Sequence, residues 1–99
     1  MRLLTKELRQ RIPPLYATEH EQDPMVWVKF FTPWTHWTWY VTEFDGTDIF
    51  FGYVKGDVPE LGYFSLSELE GIQGPWGLRI ERDLFFAPCR LSEVQNGTR

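Results

Sequence analysis

Residues 27–53 read WVKFFTPWTHWTWYVTEFDGTDIFFGY and hold eleven of the chain's seventeen aromatic side chains. Rings at that density must be mostly buried, because a large contiguous apolar surface left in water drives association. The stretch also alternates, as a strand with one inward face requires. In 25–31, Val26, Val28 and Phe30 oppose Met25, Trp27, Lys29 and Phe31. In 37–44, Trp37, Trp39, Val41 and Glu43 oppose Thr38, Tyr40, Thr42 and Phe44. In 49–54, Ile49, Phe51 and Tyr53 oppose Phe50, Gly52 and Val54. The last two segments are joined by Asp45-Gly46-Thr47-Asp48, and Asp-Gly supplies a hairpin turn that tolerates positive φ.

The flanks add two short helices. Thr5 is placed to cap the first, and Leu4, Leu8 and Ile12 recur on one face before Pro13-Pro14 stops it. The second starts at Ser65. Ser65 and Glu68 form a capping box, Phe64 occupies the staple position, Leu66 and Leu69 face inward, and Gly71 can end the helix. Between these features, residues 17–24 (ATEHEQDP) and 55–62 (KGDVPELG) read as loops. Gly74-Pro75-Trp76-Gly77 is a rigid turn, 84–87 reads as a short edge strand ended by Pro88, and 95–99 as a frayed tail.

The expected fold is therefore α+β: a small twisted antiparallel sheet of three to four strands with two short helices packed on one face. A chain of 99 residues makes a single domain. It divides into a basic N-terminal helix and proline stop (1–16), the aromatic strands (25–54) and the capped helix (65–72).

Charge is unevenly placed. Residues 1–16 carry net +3, leaving −7 for the rest and −4 overall. Such a balance repels free nucleic acid, whose capture needs clustered Lys and Arg. With one cysteine, no intramolecular disulfide forms, and a reducing compartment fits. The first residues hold no apolar run long enough for a signal peptide, and the expected location is the cytoplasm. The Asn96-Gly97-Thr98 acceptor pattern is then accidental.

Four separated strings carry a resemblance: LLTKELRQRIPPLY, VKFFTP with WTWYVTEFDG, FFGYVKGDVPELGYFSLSELE, and GPWGLRIERDLFFAP. They are similar to an uncharacterised bacterial domain family of unknown function, over residues 3 to about 94. The resemblance implies a setting on plasmids, integrative elements and phages, with roles in transfer, maintenance or escape from host defence. It supplies no catalytic residue.

Among function classes, a cysteine enzyme would combine Cys89 with His20 or His36 and an orienting acid, but no motif surrounds Cys89. A small, partly buried thiol explains it. His20 lies between Glu19 and Glu21, too few ligands for a zinc site, and His36 can stack on Trp37. Glu43, Asp45 and Asp48 lack the alternating ligands of a calcium loop. A hydrolytic carboxylate pair depends on spatial neighbours and stays an alternative. No cofactor or metal is implied.

Rings on a sheet can also stack single-stranded nucleic acid. Only Lys29 and Lys55 lie inside the aromatic region, which makes direct nucleic-acid binding the second reading. The leading expectation is a non-catalytic, protein-binding accessory of a mobile element. Inhibition of a host defence nuclease or CRISPR effector is its sharpest form. Its anchors would come from Trp27, Trp34, Trp37, Trp39 and Trp76, inside an acidic rim of Glu43, Asp45, Asp48 and Asp57. That rim would meet a basic, nucleic-acid-handling protein; self-association is the competing use of the rings.

Overall fold

A computed structural model describes residues 2–97. Helix α1 (Lys6–Arg11) is capped as expected, the Thr5 hydroxyl accepting the Leu8 N–H at 3.2 Å. Leu4 and Ile12 are buried and Leu8 packs against the same core. The strands are β1 (Met25–Val26), β2 (Val28–Phe31), β3 (Thr38–Phe44), β4 (Ile49–Lys55), β5 (Pro59–Ser65), β6 (Glu81–Arg82) and β7 (Cys89–Arg90). Helix α2 spans Leu66–Gly71, a 3-10 turn Pro75–Gly77, and helix α3 Leu91–Gln95.

The α+β class and the antiparallel pairing hold, but the sheet is larger than three to four strands. Five strands run in the order β5-β4-β3-β2-β6, and β1 pairs with β7 in a separate ribbon. Three local readings change with it. Residues 25–31 are not one strand: Trp27 interrupts them, its N–H donating to the Val41 carbonyl at 2.9 Å, and β1 turns away to β7. Residues 59–62, read as a loop from their Pro and Gly, belong to β5. The Phe50–Phe64 and Phe51–Tyr63 ring pairs, 5.3 and 5.0 Å between centroids, hold it on β4. Pro59 is tolerated as the first residue of an edge strand. Residues 84–87 form no strand. Glu81 and Arg82 fall opposite Phe31 and Phe30 instead, and Asp83 caps a turn by accepting the Phe85 N–H at 3.0 Å.

One face of the sheet carries Val28, Phe30, Trp39, Val41, Phe44, Phe50 and Phe64, which pack with Leu3, Leu4, Ile12, Leu66 and Leu69 beneath α1 and α2. Phe44 and Phe50 stack at 4.6 Å, and Arg9 lies over Phe44 at 5.6 Å. The other face is covered only in part. Tyr40 and Tyr53 are sealed by Val26, Cys89, Leu91 and Val94 from the β1–β7 ribbon and α3. Gln95, expected to fray, closes α3, and Asn96 and Gly97 donate N–H bonds to the Ser92 and Val94 carbonyls. Thr98 and Arg99 of that tail lie outside the described residues.

A β-bulge in β3 decides what the second face displays. Val41 pairs with Gly52 and Glu43 with Phe51, so one extra residue enters β3 between them. The strict alternation that placed Glu43 beside Val41 is broken there. Phe44 joins Val41 in the first core, and Glu43 emerges on the second face, one of the known uses of a bulge.

Helix α2 is held by two caps. The Ser65 hydroxyl accepts the Glu68 N–H at 3.0 Å. Among the described residues Glu68 does not return the bond; instead Asp48 accepts the Ser67 N–H at 2.8 Å and its hydroxyl at 3.0 Å. Ser65→Ala should lower stability by about 1 kcal/mol in a urea melt. Gly52→Ala should cost more, because its methyl would stand 1.9 Å from the Tyr40 carbonyl oxygen, a backbone atom of β3 that cannot swing aside.

Candidate functional site

The segment from Pro13 to Pro24 crosses the uncovered half of the second face and is fastened there by Glu43. The Glu43 side chain, 4% exposed, accepts the Tyr16 N–H at 2.9 Å, the Thr18 N–H at 3.0 Å and the Thr18 hydroxyl. Upstream, the Phe44 N–H donates to the Pro13 carbonyl at 2.9 Å. Tyr16 adopts a left-handed φ of 70°, costly for a bulky residue. Its ring is exposed, so burial does not offset that strain; the bonds to Glu43 do.

The far end of the segment is tied to α3. Asp23 accepts the Ser92 hydroxyl at 2.6 Å and the Ser92 N–H at 2.8 Å, and the Leu91 N–H donates to the Pro24 carbonyl at 2.9 Å. These Ser92 bonds, hydroxyl first, hold the Asp23 carboxyl below the ordinary carboxylate range, with Arg90 adding attraction. Asp45 is lowered likewise by the Asp48, Thr47 and Ile49 N–H groups that it collects in the hairpin turn.

Between segment and sheet lies a cleft of about 410 Å³. Its floor is Thr42, Glu43, Phe51, Leu61 and Tyr63, and its wall is Tyr16, Thr18, Glu19, Glu21, Gln22 and Pro24, with Leu91 at one end. Interaction with the Tyr16 side chain, then burial, then the nearby Glu43 and Glu19 push the Tyr63 hydroxyl above its ordinary pKa. All charged residues lining the cleft are acidic.

With this geometry in view, a family described as "Protein of unknown function (DUF2958)" matches residues 3–96. The chain belongs to that family. No curated protein and no solved structure matches it.

In this DUF2958 chain the residues named from sequence do not converge on one surface. Trp39 is buried, Trp27, Trp34 and Trp37 are half-buried against the first core, and only Trp76 stands in solvent, 96% exposed. Trp34 lies over Gly74 and Trp37 over Gly56, so both act as loop packing. The acids do not make a single rim either. Glu43 is buried on the second face, while Asp45 binds backbone within the hairpin and Asp48 binds the Ser67 backbone at the start of α2. Asp57 follows the far end of β4, about 20 Å away along the strand.

His36 reaches Asp57 at 3.4 Å, and His20 reaches Glu19 at 3.4 Å. Cys89 is sealed in the second core while both imidazoles are exposed. Among the described residues no group of three or more His, Cys, Asp or Glu could hold a metal ion. No helix there is long and apolar enough to cross a membrane. Sequence reasoning missed Tyr16, Thr18 and Tyr63. Their only signal was that polar, acidic residues 17–24 must lie over something.

Three outcomes test the site. Glu43→Ala strands two amides and should cost about 2–3 kcal/mol, with hydrogen exchange of the Tyr16 and Thr18 amides rising most. Tyr16→Phe should bring the Tyr63 pKa back down, read from the Tyr63 ring carbons by NMR titration. Asp23 and Asp45 have folded values below their unfolded ones. Their contribution is complete above the ordinary carboxylate pKa and is lost as pH falls through the lower folded value. Asp23→Asn and Asp45→Asn should each flatten the acid limb of the stability curve below about pH 4 and leave the alkaline limb unchanged.

Proposed function

We propose that this protein is a non-catalytic protein-binding module whose cleft receives a lysine- or arginine-bearing segment of a basic partner. One observation carries the reading: an aromatic and aliphatic floor, Phe51, Leu61 and Tyr63, with Glu43 beside it, is walled by Glu19 and Glu21 with no cation in the lining. A basic side chain has an apolar stem and a charged head, and such a cleft accepts both, with the ring faces adding cation–π attraction. Glu43 is an unsuitable nucleophile, since both its oxygens accept bonds from the Tyr16–Thr18 backbone and hydroxyl. The acidic lining disfavours phosphates, and Lys29 is engaged with Asp83 at 3.6 Å, which speaks against single-stranded nucleic acid. The accessory role in a mobile element, and inhibition of a host nuclease or CRISPR effector, are the biological form of the proposal. They rest on the family resemblance and on the acidity.

The test uses an arginine- and lysine-rich peptide, a size-matched acidic peptide and a single-stranded oligonucleotide as probes. The parent should bind the basic peptide with salt-dependent affinity, and Glu19→Lys/Glu21→Lys should weaken it at least tenfold, about 1.4 kcal/mol. Asp57→Lys/Glu70→Lys has the same net charge outside the cleft and should weaken it far less. Equal losses in the two variants, or preference for the oligonucleotide, would overturn the reading. Asp45 and Asp48 are unsuitable for charge reversal, because their carboxylates hold the hairpin and α2.

A further inference from the structure

The five-stranded sheet has two unequal edges. On one side β6 offers only two residues. On the other, β5 presents seven, Pro59–Ser65, with no lysine along it. Long open edges are pairing templates that folded proteins usually blunt.

The hydrogen-bond phase of this edge can be fixed. The Leu66 N–H donates to the Asp48 carbonyl at 2.8 Å, so positions 48 and 66 face each other as a bonded pair. Antiparallel ladders alternate, so Phe64, Gly62 and Glu60 direct their backbone groups to β4, while Leu61 and Tyr63 direct theirs outward. The Asp45 N–H to Ile49 carbonyl bond, 2.8 Å, agrees: Ile49 turns its backbone toward β3, away from Ser65.

This edge is complementary to itself. An antiparallel second copy, related by a two-fold axis through Gly62, sets Leu61 opposite Tyr63 on both sides of the axis, each pair exchanging N–H and C=O. That register alone pairs the whole strand, Pro59 against Ser65, and it places Glu60 opposite Phe64, so no like charges meet. Leu61 and Tyr63, 51% and 57% exposed in the single chain, become cross-strand neighbours and cover each other. Gly62 gains a reason as well. Its φ is not positive and a Cβ there would meet nothing within 4 Å, so the single chain does not require glycine. At the axis the two copies come closest, as a non-bonded pair.

We propose that the protein forms a two-fold homodimer by antiparallel pairing of β5 with β5 of a second copy. The sheet then runs continuously across the axis. Leu61 and Tyr63 also line the cleft, so both clefts open on the same side of that sheet. The dimer rests on the backbone pairing of β5 and not on the proposed function, although it shares Leu61 and Tyr63 with the cleft floor.

Cross-linking tests the register. Two Gly62→Cys chains would bring Cα atoms to about 4.5 Å, within disulfide range. Mild oxidation should therefore link them at least tenfold faster than Glu60→Cys chains, whose cysteines would be offset along the strands. Light scattering of the parent should give twice the chain mass. Leu61→Pro removes an outward N–H without touching β4, and Tyr63→Lys adds an edge charge. Both should weaken the dimer at least tenfold while keeping the far-ultraviolet dichroism. A parent that stays monomeric at every concentration, equal cross-linking of the two cysteine variants, or dimers unaffected by both edge substitutions would overturn the proposal.

Discussion

The Glu43 carboxylate, gripping the backbone of Tyr16 and Thr18, is the interaction that gives this small sheet a usable second face. Without it the segment from Pro13 to Pro24 would hang from Pro13 at one end and from Asp23 at the other, with Tyr16 in a left-handed conformation that nothing offsets. The grip exists because a bulge in β3 turns Glu43 away from the first core. One inserted residue thus produces three results: Phe44 completes the stack on Phe50, Thr42 reaches the Phe51 carbonyl at 3.0 Å, and the carboxylate meets the loop.

The acidic character of the chain has a different meaning once its partners are seen. Asp23 caps α3, Asp45 organises the hairpin, Asp48 caps α2 and Glu43 clamps the loop. Each of these acids accepts backbone N–H groups: Asp45 does so within its own turn, and the other three serve as nonlocal capping groups for short elements with too few internal hydrogen bonds. Glu19 and Glu21 are the acids left facing the cleft. A uniformly solvated acidic face, the simplest reading of the composition, describes only part of the charge.

Local signals in the sequence were reliable where a single residue type carries the chemistry. The Asp-Gly hairpin, the Thr5 and Ser65 caps and the alternation in β4 were all legible. The bulge was not, because Val41-Thr42-Glu43-Phe44 alternates in letters while the backbone does not. Strand β5 was hidden by Pro59 and Gly62, which mark turns in most settings but are harmless at an edge. Residues 84–87 misled in the opposite direction: an apolar run cannot be a strand without a ladder partner, and Phe85 projects into solvent. The cleft itself is nonlocal. Tyr16, Glu43 and Tyr63 meet only after the loop folds back across the sheet, and no spacing in the chain announces that.

The open half of the second face, under the Glu43-held loop, is where we propose that this DUF2958 protein meets a basic partner. The most direct measurement is an NMR titration of the labelled protein with an arginine- and lysine-rich peptide. Binding in the cleft should give saturable amide shifts concentrated at Thr18, Glu43, Phe51 and Tyr63, with Trp76 and Phe85 unmoved. Shifts centred on Trp76 or Phe85, or spread evenly over the acidic surface, would contradict it.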